Sequence, residues 1–229
     1  MKNIKFILIW IVLITSFLFF AVILILEANG LYFNPKSFKI QRTSLIILNG
    51  TPKNVDIYIN SKKKTETFPI RFNKLFPGYY DIKVKKQGYQ EWNKTFGLNP
   101  GQAIEQDEII LFLSKPIIVK LTDNKISLEK IKEKYTLQSD GLTIKNNNEL
   151  WLDDKFITRF SNSIGAAILM KDENHIVFQI GTEIRVMEID GTNNIKLLDL
   201  SKSDNTYFYI SGDKLIFVNN NDLFETKVR

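Results

Sequence analysis

A mainly β protein carried on one N-terminal transmembrane helix is the fold class this sequence predicts, and three observations predict it. One uninterrupted apolar run opens the chain; segments of alternating apolar and polar residues follow at roughly 10-residue spacing between turn signals; a strand–turn–strand pattern then recurs to the end. The 229 residues are 44% apolar and carry a net charge of +6, which excludes a disordered chain. With no cysteine and one histidine, a thiol nucleophile, a Cys/His zinc site and any multi-histidine centre are excluded as well.

Phe6 to Leu26 comprises 21 residues without a charge, of which only Thr15 and Ser16 are polar. At ~1.5 Å per residue this run spans the ~30 Å hydrocarbon core, so the lipid bilayer is the first expected partner. Lys2 and Lys5 precede the run and Glu27 is the first charge after it. The positive-inside bias therefore places residues 1–5 in the cytoplasm and the rest of the chain outside. A cleaved signal peptide would have a shorter apolar stretch, ~7–15 residues, closing on small residues. Leu26-Glu27-Ala28 does not fit that pattern, so an uncleaved single-pass anchor in the cell membrane is expected.

Residues 27–113 hold 13 Lys+Arg against 8 Asp+Glu, and residues 114–229 hold 16 against 17, so the basic excess lies near the membrane. The chain shows neither a dense Arg stripe nor stacking aromatics on a recognisable motif, and nucleic acid is not expected as a partner. Lys62-Lys63-Lys64 reads either as a solvated loop tip or as a contact with anionic headgroups or acidic wall polymer.

Residues 27–42 read as a stalk with a turn signal at Asn34-Pro35. Ser44 to Leu48 is a short apolar run closed by Asn49-Gly50-Thr51-Pro52. Val55, Ile57 and Ile59, and later Tyr80, Ile82 and Val84, alternate with polar residues as half-buried strands do, and Ile109 to Leu113 ends the series. Pro77-Gly78 and Gln87-Gly88 mark tight turns between them, and the spacing suggests a compact sandwich.

Pro69 after a polar loop, Leu75 to Val84 with its Pro77-Gly78-Tyr79, and Lys86 to Trp92 with its Gly88-Tyr89 together resemble the PEGA domain, over Thr43 to Leu113. Two loop positions depart from its pattern: the name-giving stretch reads Thr51 to Val55, and Phe68 precedes Pro69. The resemblance implies a surface-exposed β-sandwich of bacterial envelope proteins without known catalytic activity. Its motif residues Pro77, Gly78, Tyr79, Gly88, Tyr89 and Trp92 are read as structural. Tyr89 and Trp92, each following a Gly turn into a strand, are read as core or sheet-covering aromatics rather than a sugar-stacking platform.

Beyond residue 113 the chain repeats itself. Asp140–Asp153, Asn174–Met187 and Gly212–Glu225 each comprise a strand, a polar turn and a second strand. Aligning Glu149, Glu183 and Asp222 gives offsets of 34 and 39 residues, near the ~40 of a four-stranded propeller blade. Further strands are expected at Ala166 to Met170, Thr206 to Ile210 and Ile195 to Leu200, the last entered through a hairpin turn at Asp190-Gly191. The stretch Ile184 to Asn193, followed by Lys196 to Leu198, resembles the repeat of TolB-type propellers. About three blade-like copies occupy residues 114–229, fewer than the ~4 of a closed ring. Open sheet edges would favour self-association. Ser127 to Tyr135 fits a short helix capped by Ser127, with Leu128, Ile131 and Tyr135 on one face, and fits a strand equally well.

No nucleotide-binding glycine loop is present, and no cofactor or metal is expected. His175, the single candidate for a serine triad, is read as a satisfied or exposed turn residue. Asp190 to Asn193 could ligate calcium but lacks the spaced acids of an EF-hand, so a plain hairpin is the better reading. Asp153-Asp154 and Asp172-Glu173 are the carboxylate pairs from which a glycosidase could be built. The expected function is therefore a non-catalytic, membrane-anchored extracytoplasmic protein that binds an envelope protein, wall polymer or surface layer. The alternative is a carbohydrate-active enzyme or sugar-binding module using those carboxylates.

Overall fold

A computed structural model of the chain describes residues 2–35, 37–122, 128–202, 206–220 and 222–229. The apolar run forms α1 (Lys2–Ala28). Within it Ile4–Ala28 contains an 18-residue stretch with a mean hydropathy of 3.0, none of which is buried. The helix stops where Asn29 bonds back to the carbonyl of Ile25 and Gly30 adopts φ +69°, the left-handed conformation that ends helices. The expected stalk is instead a hairpin, β1 (Leu31–Asn34) and β2 (Lys39–Arg42), with Asn34-Pro35 leading into its turn.

Seven strands follow: β3 (Ser44–Thr51), β4 (Asn54–Ile59), β5 (Lys62–Thr67), β6 (Ile70–Leu75), β7 (Gly78–Lys85), β8 (Trp92–Leu98) and β9 (Ala103–Ile110). They form two sheets, ordered β6-β3-β9 and β5-β4-β7-β8. Period-2 alternation buries Ile46 and Leu48 in β3, Val55, Ile57 and Ile59 in β4, and Ile82 and Val84 in β7. Two readings need correction. β3 does not close at Asn49 but runs to Thr51, because Gly50 lets the backbone of Ile109 come close: a Cβ there would sit 2.3 Å from the Ile109 carbonyl oxygen. Lys62, Lys63 and Lys64 are not a loop tip; they open β5, and the turn before them is Asn60-Ser61, both at positive φ. β5 is an edge strand of its sheet, and lysines on an edge discourage pairing with another chain.

The distal residues form β10 (Ile118–Lys120), α2 (Leu128–Gln138), β11 (Leu142–Lys145), β12 (Glu149–Leu152), β13 (Lys155–Arg159), β14 (Ile164–Leu169), β15 (His175–Ile180), β16 (Glu183–Glu188), β17 (Ile195–Asp199), β18 (Phe208–Ser211), β19 (Lys214–Asn219) and β20 (Asp222–Lys227). Their sheets are β11-β12-β13, β14-β15-β16-β17 and β10-β20-β19-β18, and none closes on itself. The helix reading is the one adopted at α2: Ile131 is buried and Tyr135 packs on the core, whereas Leu128 is exposed. The expected cap, Ser127, lies outside the described residues.

Glu149, Glu183 and Asp222 are the first residues of β12, β16 and β20. Each pairs with a cation on the next strand of its sheet: Arg159 on β13, Lys196 on β17 at 3.6 Å, and Lys120 on β10 at 2.6 Å. The third sheet thus takes its outer strand from residues 118–120, far back in the chain.

Contacts group the chain into two compact units, one of residues 1–49, 69–80 and 95–107, the other of 50–68, 81–94 and 108–229. In the second unit β4, β5 and the adjoining parts of β7 and β8 share a body with the repeats. Ile110 and Phe112 enter the same core cluster as Val177, Phe208 and Phe217, and the Leu113 amide donates to the Val228 carbonyl at 2.8 Å. Truncating a buried Phe of such a core costs ~3–5 kcal/mol.

Candidate functional site

Within the second unit, Gly88 at φ +83° turns the chain so that Tyr89 bridges to Leu113 and the Gln90 amide donates to the Phe112 carbonyl. That turn delivers Trp92 and Lys94 to one face of β8, two residues apart. Trp92 is buried, and a buried indole N–H needs an acceptor. It finds one in the carboxylate of Glu188, at the end of β16. Lys94 Nζ lies 2.6 Å from Glu188 Oε2 and 2.7 Å from Asp190 Oδ2. Asn193 Nδ2 donates to Glu188 Oε1 at 2.9 Å, and the Thr192 hydroxyl to Asp190 Oδ1 at 2.6 Å. From the other side the Asn93 amide donates to Asn193 Oδ1 and Gln90 Nε2 to the Lys196 carbonyl.

The electrostatics follow from this geometry. Burial pushes the Asp190 carboxyl up, but Lys94 and Thr192 outweigh it and hold the group below its ordinary range. Burial pushes the Lys94 ammonium down, but Asp190 and Glu188 outweigh it and raise it. A cavity of only ≈ 10 Å³ remains beside Trp92, Phe112, His175 and Asn193, no larger than one water needs. The cluster is a joint between β8 and the β16–β17 hairpin, with its polar groups turned on one another.

The remaining motif residues are spread out. Tyr79 is exposed and lies across Gly97, where a Cβ would come within 3.2 Å of its ring. Pro77 is half-buried beside exposed Gly78, and Tyr89 is half-buried with Lys86 Nζ 5.6 Å from its ring centre. Lys62 and Lys64 are exposed, and Lys63 pairs with Asp56 at 2.8 Å.

Of the four carboxylates singled out in the sequence, Asp153 and Asp154 form the two-residue hairpin turn between β12 and β13, both at positive φ. Asp172 accepts the amides of Asn174 and His175 through one oxygen and lies 3.0 Å from His175 Nδ1 through the other. Burial raises the Asp172 carboxyl, yet His175 and the two amides hold it lowered. His175 is buried against the Phe112 ring rather than exposed in a turn. Glu173 alone lines a groove of ≈ 620 Å³, together with Lys134, Asp140, Lys171 and Tyr209. Sequence reasoning missed Lys134, Asp140 and Lys171, because the groove forms only where α2 and the β14–β15 turn meet β18. Lys134 Nζ stands 4.7 Å from the Tyr209 ring centre there. Gln138 pairs in both directions with the backbone of Ile210, at 2.8 and 2.9 Å, and so covers the edge of β18 as a strand would. Among the described residues, no group of three or more His, Cys, Asp or Glu could hold a metal ion.

A family model described as the PEGA domain matches residues 43–108. Two solved structures of the major pilin subunit of Bacillus cereus, BcpA, one of them a single-residue variant, align with 81% of this chain and 68% of their own at 14% identity and a TM-score of 0.25. No curated protein matches the chain.

Proposed function

We propose that this chain is a single-pass, membrane-anchored, non-catalytic protein of the cell envelope whose β regions stand outside the membrane and bind an envelope protein or wall polymer. The observation that carries the proposal is α1, whose charge-free run Phe6 to Leu26 buries none of its residues, followed by the PEGA match. Lys2 and Lys5 before the span, against Glu27 after it, supply the orientation. The β-sandwich at 43–113, the blade-like, TolB-resembling array at 114–229 and its self-association through open edges belong to this reading. The aligned acid–cation pairs at Glu149, Glu183 and Asp222 support the array.

The groove beneath α2 is the surface we assign to the ligand, since its mixed charges and open shape suit a polar polymer. The full chain in nanodiscs, mixed with purified, insoluble cell-wall polymer, tests this by co-sedimentation. Binding that is lost in a Lys134→Glu/Lys171→Glu variant is the expected result. Full binding by that variant moves the site elsewhere, and polymer turnover by the parent protein favours the carbohydrate-active alternative.

A further inference from the structure

The hairpin β1–β2 presents its apolar side chains outward. Phe33, Phe38 and Ile40 are 58, 80 and 55% exposed, and they are not scattered. Phe33 and Ile40 are cross-strand partners, so they share a face, and the Phe38 ring contacts that of Phe33 edge-on at 6.1 Å. The opposite face is polar: Asn34 Nδ2 donates to Gln41 Oε1, and the Tyr32 hydroxyl to Glu27 Oε1. Phe38 moreover sits at φ +52°, where a bulky residue is strained and Asn or Gly is favoured. A strained phenylalanine held out at the tip of a hairpin needs an apolar environment that the described residues do not supply.

The position of the hairpin says what that environment is. β1 begins three residues after α1 ends, and the two are locked together. Glu27, in the last turn of α1, accepts from Tyr32 at 2.8 Å and from Lys74 Nζ at 2.6 Å, and Lys74 lies 4.7 Å from the Tyr32 ring centre. That charged cluster marks the water boundary of the span. A four-residue strand extends only ~13 Å, comparable with the headgroup layer beside it. Exposed Lys39, cross-strand partner of Asn34, lies on the polar face between Phe38 and Ile40 in sequence, where a long, flexible cation can snorkel to lipid phosphate.

We infer that the β1–β2 hairpin is a second membrane contact, which lays Phe33, Phe38 and Ile40 into the headgroup–acyl boundary of the bilayer that α1 spans. This inference rests on the anchor reading, and the test separates the two. The chain has no cysteine, so single-cysteine variants of the full protein can each carry one NBD fluorophore. Phe38→Cys and Ile40→Cys report the hairpin, Ile14→Cys the middle of α1, and Asp154→Cys the exposed β12–β13 turn of the second unit. Each is reconstituted into phosphatidylcholine–phosphatidylglycerol vesicles, with and without doxyl-labelled lipid. The hairpin labels are expected to show blue-shifted emission and to be quenched by the doxyl lipid, with the Asp154 label unaffected. Solvent-like hairpin labels beside a quenched Ile14 label overturn the inference and leave the anchor standing. An unquenched Ile14 label overturns both. Shielding of Phe38 that disappears on dilution to one protein per vesicle means that a second copy, not lipid, covers the face, and this also overturns the inference.

Discussion

Lys94 on β8 and Glu188 at the end of β16 approach to 2.6 Å with side chains only 19 and 7% exposed, tying a PEGA-motif strand to the distal repeats within one unit. Removing one partner of such a pair leaves a nearly buried charge uncompensated, a loss of ~3–5 kcal/mol when burial is complete. Lys94→Met is therefore expected to lower stability by about 3 kcal/mol in urea unfolding followed by tryptophan fluorescence. Glu188→Met should cost at least as much, because Trp92, Lys94 and Asn193 all lose their acceptor. The double variant should be less destabilised than the sum of the two, and strict additivity would show that the contact carries no coupling.

The same joint sets a pH dependence. The folded-state pKa of Asp190 is lowered, so its contribution is present above the unfolded value, near 4, and is lost as pH falls through the folded value. Asp172 adds a term of the same sign. Lys94 is raised, so its contribution is present below the unfolded value, ~10.4, and is lost as pH rises through the folded one. Urea midpoints should hold steady between these limits and fall on both sides. Asp190→Asn should shrink the acid limb to the part that Asp172 supplies and weaken the alkaline limb too, because Asp190 helps to raise Lys94; an unchanged acid limb would count against the assignment.

Gly50 and Gly88 are both turn-like in sequence but are constrained for different reasons. A Cβ at Gly50 meets the Ile109 backbone, which cannot rotate away, so Gly50→Ala is expected to cost about 3 kcal/mol. Gly88 has open space but φ +83°, so Gly88→Ala should cost about 1 kcal/mol through strain alone. Thermal unfolding of the two variants gives the order directly.

Gln138→Ala removes two hydrogen bonds to Ile210 and bares the edge of β18. A loss of about 2 kcal/mol is expected, with concentration-dependent association stronger than that of the parent in sedimentation velocity. A variant that stays monomeric at high concentration would show that the edge has other cover.

Much of the architecture was legible because its signals are local. The charge-free run to Leu26 has no competing reading as a strand, and Asp190-Gly191 sits at a turn because a short polar pair between apolar alternations leaves little else. What stayed hidden depends on distant partners. Glu188 lies between Met187 and Ile189 with nothing in sequence to announce four donors converging on it, two of them from β8. The outer strand of the last sheet comes from residues 118–120, whose role is set by β20 more than 100 residues later. Lys62 to Lys64 read as a loop because an edge strand with solvent on its outer side needs no apolar alternation. β1–β2 was read as a stalk because its exposed Phe33, Phe38 and Ile40 follow no soluble pattern.

An anchor that holds the β regions outside the cell leaves them open to a membrane-impermeant label. Lys64→Cys, on the exposed edge strand β5 of a chain without native cysteine, is expressed in intact cells and treated with a membrane-impermeant maleimide. The account predicts full labelling of Lys64→Cys in intact cells, on a protein that stays in the membrane fraction after alkaline carbonate extraction. Labelling that appears only after the cells are broken, or protein released by carbonate, would contradict it.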